Sequence, residues 1–189
     1  MTGRIIHFGA SLTCGEGLES VDQSYPCILK ILTNTETIIS AKPGISNLEI
    51  LHDILNFNFK KDDIVIPMWV PNNRDVIFKK NMLITIGSWQ NTELVRNWLS
   101  THSDYDLGVR TWYYIQHAVL YLNSLGLRVF NFGSYAYILN RYKPDYIKTE
   151  LFDSNLSKYK TIGESAKDGH PGRQAHILLA DHIYRTMKC

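Results

Sequence analysis

The stretch "RIIHFGASLTCGEG", residues 4–17, decides how the rest of the chain is read. Its first half is an apolar run of strand length. Its second half crowds small residues around one serine, Ser11, and returns to glycine at Gly15 and Gly17. A strand that ends in Gly-Ala-Ser and turns at once is how a buried β-strand hands over to a helix at the edge of a sheet. A serine just past that point keeps its backbone N–H free of the strand ladder, and the glycines let other groups approach the backbone closely. A tight βα turn with a capping Ser or Thr has the same form. The stretch therefore places Ser11 at a sheet edge before it assigns any chemistry.

Working outward, strands and helices alternate. Residues 4–9 read as a buried strand. Residues 24–33 read as a helix with Ser24 as N-cap and Pro26 in its first turn. "TETIISA", 35–41, is a strand, and "SNLEILHDIL", 46–55, is a helix whose Ser46 and Glu49 have capping-box spacing. "DDIVIPMWV", 62–70, is a continuous apolar strand, buried on both faces. A long helix over 106–126 ends at Gly126, a strand follows over 127–133, and the last helix spans 171–187 with Pro171 near its start. This alternation implies βαβ units and a mainly parallel sheet. Such sheets bind ligands beyond the carboxyl ends of their strands, where Ser11 lies. Residues 1–189 read as one α/β domain. Two irregular insertions, at about 71–105 and 134–167, exceed ordinary loop length and are expected to wall the same edge.

Composition narrows the function classes. Of 189 residues, 44% are hydrophobic and 20% charged, as in an ordinary globular domain. The net charge is +2 and no basic run exceeds two lysines, so no nucleic-acid partner is expected. No apolar stretch is long enough to span a bilayer, and the N-terminus enters a strand directly, so neither a membrane anchor nor a signal peptide is expected and a cytoplasmic location is the default. Cys14, Cys27 and Cys189 form no CxxC pair, which argues against a disulfide framework or a zinc site. The 11 Tyr and 4 Trp, many of them between Trp69 and Tyr146, suit an interaction surface or an aromatic-walled cleft.

Three pieces of sequence can carry chemistry. A serine hydroxyl needs a base within hydrogen-bond reach and donors for the oxyanion it creates. "GASLTCGEG", 9–17, offers Ser11. "SAKPGISNLEI", 40–50, puts Gly44 between a strand and a helix, so its N–H sits at the same edge; a plain Pro-Gly turn reads identically. "AKDGHPGRQAH", 166–176, puts His170 in a loop before the last helix, with Asp168 two positions earlier to hold the imidazole; a solvent-exposed loop histidine is the alternative. His7, His52, His102, His117, His176 and His182 lack such a pattern and are read as structural.

Together these pieces resemble the SGNH hydrolases, the G-D-S-L esterases and lipases. "GASLTCG", 9–15, is similar to their first block with Ala10 in place of Asp. "PGISN", 43–47, fits the second, and "DGHPGRQAHILLA", 168–180, resembles the last with one residue fewer between Asp and His. With "SYPCIL" and "DIVIPMW", the chain looks most like a branch common in phage and bacterial genomes. The resemblance implies a three-layer α/β/α sandwich with a mainly parallel five-stranded sheet, flavodoxin-like in layout. It implies Ser11 as nucleophile and oxyanion donor, the N–H of Gly44 as second donor, His170 as base and Asp168 as its orienting acid. It implies small-ester cleavage through an acyl-enzyme, with no metal and no cofactor.

The chain departs from the family where G-x-N-D is expected. There the third strand runs into "MWVPNNRD", 68–75, so Asn72 or Asn73 is left to supply the oxyanion amide, with Asn73 the choice of register. Trp69, Asn72 and Arg74 are expected to shape the substrate site, Arg74 by binding an anionic or polar group. The expected substrate is a small-molecule or carbohydrate ester, an O-acetylated sugar in particular. The rival is a degenerate carbohydrate-binding or virion-associated module. A flavodoxin-like cofactor domain fails for want of G-x-G-x-x-G spacing. Cys14, three residues past Ser11, reads as a small buried residue, with a rival thiol nucleophile as the alternative.

Overall fold

The structure, a computed structural model, describes residues 3–79, 82–159, 162 and 169–189. In chain order the elements are β1 (Ile5–Gly9), α1 (Ser11–Cys14), α2 (Tyr25–Thr33), β2 (Thr37–Ala41), α3 (Asn47–Leu55), β3 (Ile64–Trp69), β4 (Arg74–Lys79), β5 (Met82–Gly87), α4 (Glu93–Thr101), α5 (Asp104–Ser124), β6 (Arg128–Val129), β7 (Phe132–Gly133), α6 (Ala136–Asn140), β8 (Phe152–Asp153), α7 (Leu156–Tyr159) and α8 (Arg173–Lys188).

The main sheet is parallel and runs β2-β1-β3-β7-β8, with β6 also on β3. β6 pairs with the start of β3, at Ile64 and Val65, and β7 with its end, at Met68 and Trp69. The two short pieces therefore share one lane, and the sheet has the expected five lanes. The expected single strand over 127–133 is interrupted at Phe130 and Asn131. There the Phe130 N–H still donates to the Val65 carbonyl (2.9 Å), and the Asn131 carbonyl accepts from the Phe152 N–H (2.8 Å).

Period-2 alternation divides β1 and β3 between two cores. Ile6, Phe8, Val65 and Trp69 pack on one face with Ile50 and Ile54 of α3 and Trp112 and Ile115 of α5. Ile5, Ile66 and Met68 pack on the other with Leu29 of α2 and Leu179 and Ile183 of α8. Helices thus cover both faces, giving the α/β/α sandwich. Local signals hold at the helix ends. Ser46 and Glu49 close the capping box on α3. Gly126, at φ 69°, ends α5, where the N–H groups of Gly126 and Leu127 bond the carbonyls of Asn123 and Leu122 (2.9 and 3.2 Å). That pairing is the Schellman arrangement.

The region 71–105 is built rather than irregular: β4 and β5 form an antiparallel hairpin, and α4 follows. β8 lies inside the other region read as irregular, 134–167. Among the described residues no helix is long and apolar enough to cross a membrane.

Candidate active site

Ser11 is the first residue of α1, immediately beyond Ala10 and the end of β1. The Ala10 carbonyl accepts from the N–H groups of Thr13 and Cys14 (2.9 and 3.1 Å), which leaves the N–H of Ser11 unused by the helix. Gly9 makes this turn possible. A Cβ there would lie 2.1 Å from Thr13 Oγ1 and 3.3 Å from Met68 Cβ, so α1 could not fold back on the strand end. Gly44 occupies the matching position after β2, at φ 75°, a conformation that favours glycine.

Two neighbouring cavities open at this carboxyl edge, and both are lined by Ser11, Arg74 and His170. The first, about 290 Å³, is otherwise mainly apolar, with Leu12, Met68, Val70 and Leu156, and carries Ser134 and Tyr135 at its side. The second, about 480 Å³, adds Glu16, Gly44 and Trp89. The fold thus brings Ser11, Gly44, Arg74 and His170 to one place from widely separated segments. His170 Nε2 lies 3.6 Å from a carboxylate oxygen of Glu16. Ser11 Oγ and His170 are not hydrogen-bonded in this structure; nucleophile–base contacts are often looser without substrate and tighten in the Michaelis complex. Asp168 lies outside the described residues.

The strand-three departures resolve into four placements. Trp69 does not wall the cleft. It is fully buried in the core, and its Nε1–H donates to Asn131 Oδ1 (3.2 Å). Its position on an inward face of a doubly covered strand accounts for this. Asn72 is buried and donates to the Asp104 carbonyl (2.9 Å), fastening the start of α5; it lines neither cavity beside Ser11. Asn73 lines the first cavity, and one of the two N–H groups of its amide donates to Ser88 Oγ (2.9 Å) across the hairpin. Arg74 does reach the site.

Arg74 is held firmly. Its Nη1–H donates to the Ile45 carbonyl (3.2 Å), next to Gly44, and its guanidinium carbon sits 4.5 Å from the centre of the Trp89 ring. Trp89 folds back over the end of the hairpin because residue 87 is glycine; a Cβ there would lie 1.9 Å from the indole. Burial lowers the pKa of Arg74 from its ordinary value, against a smaller opposing influence of Glu49.

Two nearby groups play supporting parts. Cys14 lines neither cavity; its thiol donates to the Ser11 carbonyl (3.3 Å), and burial pushes its pKa up, both of which oppose a thiolate nucleophile. His176 is buried and accepts the Tyr25 N–H at Nδ1 (3.0 Å), with burial lowering its pKa to about 4, so it is a structural neutral imidazole. Sequence reasoning missed Glu16 and Trp89. Glu16 had a signal, since it stands in the Ser11 turn itself. Trp89 had none, because its approach depends on the hairpin.

No family model matches the sequence, and no curated protein matches it. Solved structures match the fold. A member of the lipolytic protein G-D-S-L family from Veillonella parvula superposes with a TM-score of 0.61 at 14% identity, covering 99% of each chain. A lipase from a goat rumen metagenome gives 0.56 at 13% identity over 97% of each chain. An acetyl xylan esterase from Butyrivibrio proteoclasticus gives 0.58 at 14% identity, covering 99% of this chain and 64% of that one.

Proposed function

We propose, on the premise that this chain has the fold of the SGNH hydrolases, that it is a serine-dependent carboxylic ester hydrolase. The observation that carries the reading is the convergence of Ser11 and His170 on the same two cavities at the carboxyl edge of the sheet. In the reaction, Ser11 Oγ attacks the ester carbonyl carbon while His170 accepts its proton. The carbonyl π electrons move onto oxygen, and the N–H groups of Ser11 and Gly44 hold the resulting oxyanion. Collapse breaks the bond to the alcohol oxygen, which takes the proton from His170. Water, deprotonated by the same imidazole, then releases the acid and restores Ser11. In this scheme Asp168 orients His170, and a second alcohol in place of water would turn hydrolysis into acyl transfer.

We further propose a small acyl group, acetyl above all, on a carbohydrate. A mainly apolar cavity of about 290 Å³ beside Ser11 suits a short acyl chain. Tyr135 beside the first cavity, and Trp89 beside the second with Arg74 over its ring, supply aromatic surface against which a sugar can pack. One fold neighbour is described as an acetyl xylan esterase.

The test is turnover of 4-nitrophenyl acetate and of acetylated sugars by the wild type beside Ser11→Ala and His170→Ala, with a fluorophosphonate probe for the nucleophile. Expected are turnover in the wild type, background rates in both variants, and a covalent adduct located on Ser11. Cleavage of long-chain esters only would overturn the acetyl assignment. Inertness toward every ester, with no adduct, would leave the carbohydrate-binding reading instead.

A further inference from the structure

Arg74 poses a question that the ester chemistry does not answer. It is a partly buried cation in the wall shared by the two cavities, and among the described residues no carboxylate forms an ion pair with it. Glu49, the acid whose field reaches it, forms no ion pair with it; its Oε2 accepts from the Ser46 N–H (2.9 Å) and from Thr85 Oγ1 (2.7 Å). Glu16, the acid lining the second cavity, faces His170. Of the five N–H donors on the guanidinium, one is spent on the Ile45 carbonyl, and Nε is buried without a partner. Taking such a charge out of water without a counter-ion costs free energy that an apolar side chain would not. Trp89 beneath the plane and the Ile45 carbonyl at its edge fix the group, so it cannot easily swing out to solvent. A desolvated, immobilised guanidinium with open donors is a receptor for an oxyanion.

We propose that the substrate of this site is an anionic ester, with a carboxylate or equivalent oxyanion group seated on Arg74 while the ester carbonyl faces Ser11. The proposal rests on the hydrolase reading for its chemistry, but the anion site stands on the environment of Arg74 alone. It turns the acetylated-sugar assignment toward acidic substrates. The charge is fixed and the ring of Trp89 is adjacent, so an acidic ring compound satisfies both.

Two matched probe pairs test this. Phenyl acetate is compared with 4-acetoxybenzoate, which carries the charge on the alcohol side. 4-Nitrophenyl acetate is compared with mono-4-nitrophenyl succinate, which carries it on the acyl side. The wild type is expected to favour at least one anionic member about 10-fold or more in kcat/KM, mainly through KM, with the preference weakening as salt is added. Arg74→Gln should abolish the ratio, and Arg74→Lys should keep part of it. The proposal is overturned if neither anion is favoured. It is equally overturned if Arg74→Gln lowers kcat alike for charged and neutral esters, which would assign the guanidinium to the developing oxyanion. Calorimetric binding of 4-acetoxybenzoate to Ser11→Ala, with and without Arg74→Gln, separates the two readings. Arg74-dependent binding by a protein that hydrolyses nothing keeps the anion site and removes the hydrolase. Hydrolysis of neutral acetates without Arg74-dependent binding does the reverse.

Discussion

Arg4 lies at the amino edge of the main sheet and Arg74, the first residue of the β4–β5 hairpin, lies at its carboxyl edge, and their surroundings are opposite too. Arg4, just before β1, makes a two-pronged contact with Asp63, just before β3: Nε to Oδ1 at 2.9 Å and Nη2 to Oδ2 at 2.6 Å. Beside this fork the Ile64 N–H donates to the Arg4 carbonyl (2.8 Å), so the pair also sets the register of β1 on β3. Asp63 takes a third bond from the Lys60 N–H (2.7 Å). At the carboxyl edge, Arg74 has a carbonyl, an aromatic face and a buried Nε with no partner. At the amino edge the Arg4–Asp63 pair closes its charges within the chain, where they hold strands together. The carboxyl edge leaves one open, beside the serine. The difference separates stability from function along a single axis of the fold.

Substitutions at the two edges should therefore act on different quantities. The largest effect expected is at Ser11. Ser11→Ala should lower ester turnover by at least about 10³-fold, while its unfolding free energy stays within about 0.5 kcal/mol of wild type. Activity assays and urea melts on one preparation check both. A Ser11→Ala protein that keeps its activity would erase the functional side of the contrast. Next in size is Asp63→Ala, which strands Arg4 and removes the acceptor of the Lys60 N–H. It should cost about 2–3 kcal/mol of stability, or roughly 5–10 °C in Tm for a chain of this length, with kcat/KM of the folded protein unchanged. A stable but inactive Asp63→Ala protein would break the separation.

The sequence revealed these edges unequally. The amphipathic and doubly buried runs, the capping box on α3 and the glycine at the end of α5 are local signals. They carried the parallel sheet, its flanking helices and the edge at which Ser11, Gly44 and His170 meet. What failed was what depends on contacts between distant segments. The strand Ile64–Trp69 is buried on both faces, which already points Trp69 into a core, but Trp69 is also its last residue, next to the carboxyl edge, and that nearness drew it into the expected site. The two asparagines that follow are equivalent in sequence. Only the positions of Asp104 and Ser88 decide where their amides go. The hairpin β4–β5 hides in a mixed polar and aromatic stretch, and with it hides the Trp89 ring that holds Arg74. Arg4 and Asp63 are 59 residues apart and carry no sign of their pairing.

Acid sharpens the comparison from the core outward. His7 on β1 is buried, with burial lowering its pKa to about 3, and that of His176 is lowered to about 4. In the unfolded chain both would titrate near 6.5. The unfolded state therefore binds more protons than the native state in that interval, and stability falls as pH drops. Loss should begin below about pH 6.5 and accumulate toward pH 4, at most about 1.4 kcal/mol per pH unit for each histidine. Asp63 adds its own share lower down. Burial alone would raise its pKa, but the Arg4 fork and the Lys60 N–H outweigh it and hold the carboxyl below its ordinary value. Its contribution is intact above the unfolded carboxyl range near pH 4 and is lost as pH falls through the depressed native value. Denaturant melts at pH 7, 5.5 and 4.5 should give a slope that His7→Val reduces by one proton. An unchanged slope in that variant would mean that His7 does not stay neutral in the folded protein.

The smallest effect expected is the most direct comparison of the two arginines. Arg4→Met leaves Asp63 as a buried carboxylate without its cation, so it should destabilise by an amount close to Asp63→Ala. Arg74→Met removes a cation that forms no ion pair among the described residues and feels only the field of Glu49. It forfeits one bond to the Ile45 carbonyl, worth about 1 kcal/mol, and a cation–π contact worth about 0.5–1 kcal/mol. Against these losses stands the desolvation of the guanidinium and of its unpartnered Nε, each of which costs a comparable amount. The two sides nearly cancel, so Arg74→Met should change stability by no more than about 1 kcal/mol in either direction. A loss as large as that of Arg4→Met would mean that Arg74 is a structural cation and that its place beside Ser11 follows from packing. A near-zero change, set against loss of the preference for anionic esters, would mean that the chain keeps a charge there that its own stability does not require.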